Sequence, residues 1–244
     1  MLLSSMETSS AAPSITDGST APPQAENALG RRGFLRGGAV AAGGVALATC
    51  MGEEVHAAAA GPRQQFGLIR KHEQDHVDFL VGALGASARP KPTFTGLNQT
   101  NLNMFLDVAR TLENVGTGAY TGAAPAIESN MILGQTATIA LIEARHAGFL
   151  NSFRGRSMTE NVFGAEQSFE RALTVAEVVM LAGPFIVNLN DGSSSPTADN
   201  GTHPLTFSST PSASNDIAIL NFALALEFLE EEFYELNVFK FFGT

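Results

Sequence analysis

Two histidines in this sequence each follow a glutamate by three positions, inside segments whose apolar residues have helical spacing. The pairs are Glu73 with His76 and Glu143 with His146. Residues three apart lie side by side on one face of a helix, so each pair aims a carboxylate and an imidazole at the same point. Carboxylate oxygen and imidazole nitrogen suit iron, manganese and zinc. The two pairs therefore predict a metal site inside a helical bundle.

Two further glutamates lie close to the apolar stripes of two other segments, and each has a tyrosine seven residues later. They are Glu113 with Tyr120 and Glu227 with Tyr234, and the chain has only these two tyrosines. Seven residues make two helical turns, so both members of a pair share one face. Each of these segments is expected to supply one carboxylate, with a tyrosine that orients groups around the metals.

The charges of these residues call for cations. Four glutamates in one apolar interior would repel one another and stay mostly protonated, whereas two divalent cations would leave the interior nearly neutral. One glutamate from each of two helices, plus Glu-x-x-His from each of two others, is the arrangement of dinuclear carboxylate bundles. We therefore predict two iron or manganese ions, with zinc also allowed, bound by Glu73, His76, Glu113, Glu143, His146 and Glu227.

Each of these residues also has an ordinary structural interpretation. The two histidines fit satisfied core residues, the single glutamates fit edge residues that reach solvent, and the tyrosines fit plain core aromatics. In addition, Glu230 and Glu231 lie one turn beyond Glu227 and compete with it as the ligand.

The other three histidines are not expected to bind metal. His72 lies about 100° around the helix from its neighbour Glu73 and is predicted to be exposed. His56 follows Glu53 by three residues, but this pair lacks an apolar stripe and is interpreted as a coincidence. His203 lies in a polar segment and is predicted to be solvated.

The elements that position the site are four long helices. Periodicity predicts them over about 64–84, 101–121, 130–153 and 216–242. Thr174 and Glu177 form a capping-box pattern that opens a shorter helix, and residues 188–215 have the composition of a linker. No strand is predicted. The expected fold class is all-α, a four-helix bundle with an extra short helix and a long linker, within a domain that spans 61–244.

The first 60 residues are predicted to be a disordered start followed by a twin-arginine export signal. Arg31 and Arg32 precede a mild apolar run that is too short to span a hydrocarbon core of about 30 Å. Export would place the protein in the periplasm or outside the cell, with the thylakoid lumen as an alternative. Ala57 to Ala60 offers a cleavage site, and Cys50 leaves lipidation open.

Composition limits the partners. The net charge is −10 and no basic face is visible, which argues against nucleic acid. With a single cysteine the chain forms no internal disulfide, so core packing and metal binding must stabilise it. No transmembrane span is predicted, and a homo-oligomer is compatible with the sequence.

The segments around these glutamates and histidines resemble the ferritin-like superfamily, most closely its branch of twin-arginine-exported proteins and plant desiccation-related proteins. The resembling segments are 71–80, 109–125, 142–147 and 221–234. In that family the helix with Asn-Phe-Ala-Leu and a single glutamate comes first, whereas here it comes last, so the order looks circularly permuted. The 28-residue linker has a flexible reach of about 30 Å. Closure within one chain is therefore feasible, with donation to a neighbouring molecule or a mis-assembled gene model as the alternatives.

The resemblance implies ferroxidase-like or peroxide-scavenging chemistry, so the first hypothesis is an oxidoreductase that handles oxygen, peroxide or Fe2+. In this hypothesis Glu73 or Glu113 is expected to bridge the metals. The second hypothesis is a non-enzymatic stress or desiccation-related protein whose metal site is structural or vestigial. Iron storage in a hollow shell is a third hypothesis, disfavoured by the helix order and the long irregular segment.

Overall fold

The computed structural model describes residues 61–192 and 205–243. This part of the chain is mainly helical, which confirms the predicted all-α class. It contains α1 (Pro62–Leu84), α2 (Leu102–Ala123), α3 (Asn130–Phe153), the short α4 (Val175–Ala182) and α5 (Ala213–Phe242). The predicted export signal, with Cys50 and the Glu53–His56 pair, lies outside the described residues, and so does the linker segment 193–204 with His203.

Side chains at the helix starts explain where the helices begin. Asn101 accepts a hydrogen bond from the backbone N–H of Met104 at 3.0 Å before α2, and Ser212 accepts one from Asn215 at 3.1 Å before α5. Such caps satisfy N–H groups that have no partner within the helix. Thr174 and Glu177 form the predicted capping box of α4.

One feature of the fold differs from the sequence prediction. A two-stranded antiparallel pair joins β1 (Thr93–Phe94) to β2 (Ile186–Asn188). Strands of two and three residues are too short to show the alternation that identifies a strand in sequence. The pair ties the segment after α1 to the segment after α4.

The last helix completes the bundle within the same chain. Helix α5 packs mainly along α1 and also contacts α2, while α2 packs along α3. Because α5 contacts α1 and α2, its side chains are buried on several faces. Leu224, Leu229 and Phe233 of α5 are among the most deeply buried side chains of the core.

The ends of the predicted linker are anchored on the bundle. Leu189 and Leu205 are both buried in the main hydrophobic cluster. Asn215 donates its side-chain amide to the carbonyl of Ala126 at 3.0 Å. The carboxylate of Asp216 accepts the backbone N–H groups of Glu128 and Ser129 at 2.8 and 3.0 Å. These contacts fix the start of α5 against the turn that precedes α3.

Two glycines of α2 allow the chain before α4 to lie directly on the helix. The backbone N–H of Leu173 donates to the carbonyl oxygen of Gly118 at 2.9 Å. A Cβ added at Gly118 would meet the Leu173 side chain, and one added at Gly122 would overlap the Leu173 carbonyl oxygen. Because a backbone carbonyl cannot turn aside as a long side chain can, Gly122 is required for this approach.

Gly122→Ala is therefore expected to lower the free energy of unfolding by about 2 kcal/mol or more, since overpacking outweighs the better helix propensity of alanine. Urea unfolding measures the change. Gly148→Ala is the matched control, because a Cβ there would lie 3.4 Å from its nearest neighbour, the carbonyl oxygen of Met158. Equal stability of the two variants would contradict this description of the contact.

Candidate metal centre

The bundle brings all six predicted ligands into one buried cluster. The four glutamates are at most 1% exposed, and the two histidines are 8% and 6% exposed. They form two groups, and in each group one oxygen or nitrogen atom per residue lies within 4.8 Å of those of the other residues. The first group is Glu73, His76, Glu143 and Glu227, and the second is Glu73, Glu113, Glu143 and His146.

The first group surrounds the imidazole of His76. Its Nδ1 atom lies 3.1 Å from an oxygen of Glu73, 3.1 Å from one of Glu143 and 3.2 Å from one of Glu227. These carboxylates come from α1, α3 and α5. One ring nitrogen therefore faces oxygens from three helices.

The second group repeats this arrangement around His146. Its Nδ1 atom lies 3.1 Å from Glu73 Oε1 and 3.1 Å from Glu113 Oε2. Exchanging α1 with α3 and α5 with α2 converts the first group into the second. The centre thus has an approximate two-fold arrangement, with Glu73 and Glu143 common to both groups and one further glutamate in each. Of the two expected bridging residues, Glu73 lies in this shared position and Glu113 does not.

The two tyrosines follow the same two-fold exchange. The hydroxyl of Tyr120 on α2 donates to Glu227 on α5 at 2.5 Å, and the hydroxyl of Tyr234 on α5 donates to Glu113 on α2 at 2.5 Å. Each tyrosine therefore holds the glutamate of the opposite helix, a contact that the seven-residue spacing within one helix does not predict.

Protein donors cannot satisfy all of these carboxylate oxygens. Both oxygens of Glu143 and Oε1 of Glu73 are buried without a hydrogen-bond partner, even though imidazole nitrogens lie 3.1 Å from some of them. The single Nδ1 atom of His76 can donate at most one hydrogen to the oxygens around it. A cation between these atoms would satisfy several lone pairs at once, so the cluster is compatible with a metal site.

Without metal, burial and the neighbouring charges shift the pKa values of the buried glutamates and histidines. Burial acts to raise the pKa of Glu73, but the nearby imidazoles of His146 and His76 outweigh it and lower the pKa to about 2. Burial and the charge of Glu73 raise the pKa of Glu143 well above its usual value. Burial acts to lower the pKa of His76 and of His146, yet the surrounding carboxylates raise both. In the absence of metal, protons therefore replace part of the missing positive charge.

The structure adds one carboxylate that the predicted ligand set left out. Glu230 is 3% exposed, and burial together with the charge of Glu143 raises its pKa well above the usual value. Its Oε1 atom lies beside Gly116, where an added Cβ would stand 2.7 Å from Glu143 and 3.5 Å from Glu230. The spacing Glu227-x-x-Glu230 was the available signal, because it places both residues on one face. Glu231 instead pairs with Lys91 at 2.8 Å.

The prediction that His72 is exposed is wrong. It is half-buried, and its Nδ1 atom lies 2.9 Å from Nε2 of His146 on the opposite helix. Burial and the charge of His146 lower the pKa of His72. Angular position on a single helix could not reveal this contact, because it depends on how closely α3 approaches α1.

A family model described as a ferritin-like domain matches residues 39–156. This match supports the ferritin-like superfamily. It covers α1 to α3, which carry five of the six predicted ligands, and it ends before α5. Together with the helical bundle it agrees with the predicted ferritin-like fold. No curated protein and no solved structure matches the chain. Among the described residues, no helix combines the length and apolar character needed to cross a membrane.

The raised pKa of Glu143 leads to a prediction for the metal-free protein. A carboxyl whose pKa is raised in the folded state stabilises that state fully below the unfolded pKa, and the stabilisation is lost as pH rises toward the folded pKa. Glu143→Gln removes this loss. In a chelator, the variant is expected to become increasingly more stable than the native protein as pH rises above about 4.5.

Melting temperatures measured from pH 4 to pH 8 test this prediction. Glu128→Gln is the matched control, because Glu128 is exposed on the turn before α3. A stability difference that does not change with pH would contradict the assigned origin of the shift.

Proposed function

We propose that this chain is an exported ferritin-like protein that binds two divalent metal ions and uses them for oxidoreductase chemistry with oxygen, peroxide or Fe2+. The proposed ligands are the six predicted ones: Glu73, His76, Glu113, Glu143, His146 and Glu227. Glu73 and Glu143 are proposed as the bridging pair, since both belong to each of the two groups.

One observation carries the proposal. Each imidazole presents its Nδ1 atom to buried carboxylate oxygens from more than one helix, at 3.1 to 3.2 Å. A bundle that needed only packing would fill this space with apolar side chains, because buried carboxylates without partners are costly. Divalent cations explain why the carboxylates converge.

The spacing of the donors bears on which metal fits. Around an ion with bonds of about 2.1 Å, neighbouring donors are about 3.0 Å apart in an octahedral shell and about 3.4 Å apart in a tetrahedral one. The nitrogen–oxygen distances of 3.1 to 3.2 Å lie between these two values, so they are compatible with iron, manganese or zinc.

The side chains then have separate tasks. When bound, two such metals with open positions can bind oxidants and exchange electrons with them. Tyr120 and Tyr234 hold the two outer glutamates in place through their hydroxyl groups. In the metal-free site, burial and the charge of Glu143 raise the pKa of Glu230, which favours its protonated, neutral form.

Metal content and peroxide consumption test the function together. The native protein, expressed without metal bias, is expected to carry about two metal ions per chain and to consume peroxide. Glu143→Ala should lose both properties, since the two groups share this carboxylate. Glu128→Ala, which removes an exposed carboxylate, is the matched control.

The outcomes of this test separate the hypotheses. Bound metal without peroxide or Fe2+ turnover, together with a lower melting temperature of Glu143→Ala, would favour the stress-related protein with a structural metal site. Absence of metal from the native protein would contradict both the proposed metal site and the proposed oxidoreductase chemistry.

Export is a separate part of the proposal and has its own test. Twin-arginine transport reads the two arginines, so replacing both Arg31 and Arg32 by lysine is expected to leave the protein in the cytoplasm of a bacterial host. Cell fractionation measures the location. Periplasmic accumulation of this double variant at the native level would contradict the export route.

A further inference from the structure

The contact between His72 and His146 crosses from α1 to α3 at the edge of the metal centre. Nδ1 of His72 lies 2.9 Å from Nε2 of His146. The two rings are nearly parallel, with an interplanar angle of 7° and centroids 5.2 Å apart. The hydrogen bond therefore links a half-buried residue to a proposed ligand through the ring nitrogen that faces away from the carboxylates.

This hydrogen bond decides which nitrogen of His146 is free to bind a cation. Nδ1 of His146 faces Glu73 and Glu113 at 3.1 Å, so Nδ1 is the atom in position to bind metal. A neutral imidazole has one N–H and one acceptor nitrogen. If Nδ1 binds metal, the hydrogen is on Nε2, and Nε2–H donates to Nδ1 of His72. His72 then carries its own hydrogen on Nε2.

Among the described residues, the position related to His72 by the two-fold exchange offers no such partner to the other half of the centre. The two-fold exchange relates Glu73 and His76 to Glu143 and His146, and it relates His72 to Ile142, four residues before His146. An isoleucine side chain has no atom that can accept a hydrogen bond. The six proposed ligands thus follow the approximate two-fold exchange, whereas the neighbouring residues His72 and Ile142 do not.

We propose that His72 is a positioning residue that fixes the tautomer and ring orientation of His146, so that the two metal positions differ and only the one beside His146 depends on His72. Partners of this kind typically change metal affinity by about 10- to 100-fold. The inference rests on the proposed metal site and adds to it a residue outside the predicted ligand set.

Cobalt titration of the metal-free full chain tests this inference, because Co2+ absorption reports the ligands of each ion. The native protein is expected to bind two Co2+ ions. His72→Phe keeps a flat ring but cannot accept the hydrogen bond, so it should weaken one of the two binding steps by about 10- to 100-fold and leave the other unchanged. His72→Gln supplies an acceptor oxygen and should recover most of the loss.

Ile142→Leu is the matched control at the two-fold related position, and it should leave both binding steps at native values. If His72→Phe binds two Co2+ ions as the native protein does, or weakens both steps equally, the positioning role is wrong while the proposed metal site stands. If the native protein binds no Co2+, the proposed function itself fails.

A measurement on the native protein avoids any effect of the substitution on folding. In the zinc-loaded chain with 15N-labelled histidine, a 15N–15N coupling is expected between Nε2 of His146 and Nδ1 of His72. Absence of that coupling, with Nδ1 of His146 bound to zinc, would overturn the inference.

Discussion

The structure depends on placing more carboxylates in the bundle interior than protein donors can neutralise. Glu73, Glu113, Glu143, Glu227 and Glu230 are all buried. Within the described part of the chain, the first four are contacted by two imidazoles and two tyrosine hydroxyls. An apolar core of the same shape would be easier to stabilise. The arrangement is therefore compatible with a metal site, and in our proposal folding is coupled to the uptake of cations or, without them, of protons.

Contacts elsewhere in the fold hold the four long helices around the buried carboxylates. Asn215 and Asp216 fix the start of α5 against the turn before α3, and packing of α5 along α1 and α2 places Glu227 at the centre. Gly116 leaves room for carboxylates, and Gly122 lets the segment before α4 lie against α2. The absence of a side chain at Gly116 thus leaves space for the carboxylates of Glu143 and Glu230.

The sequence predicted those features of the site that depend on the spacing of residues within a single helix. The Glu-x-x-His pairs and the glutamate–tyrosine intervals are periodic, and periodicity predicts which side chains share a face. It does not predict what faces them. The contact of His72 with His146, the burial of Glu230 beside Gly116 and the β1–β2 pair all depend on distances between segments far apart in the sequence. The export signal, the closer family branch and the permuted helix order stay predictions.

The central claim is that two metal ions occupy one buried carboxylate cluster, and anomalous diffraction from crystals grown with iron or manganese tests it most directly. The account predicts two anomalous peaks about 3.5 to 4 Å apart, one beside Nδ1 of His76 and one beside Nδ1 of His146, with Glu73 and Glu143 between them. Crystals whose anomalous peaks lie only on the protein surface, with none in the bundle interior, would contradict it.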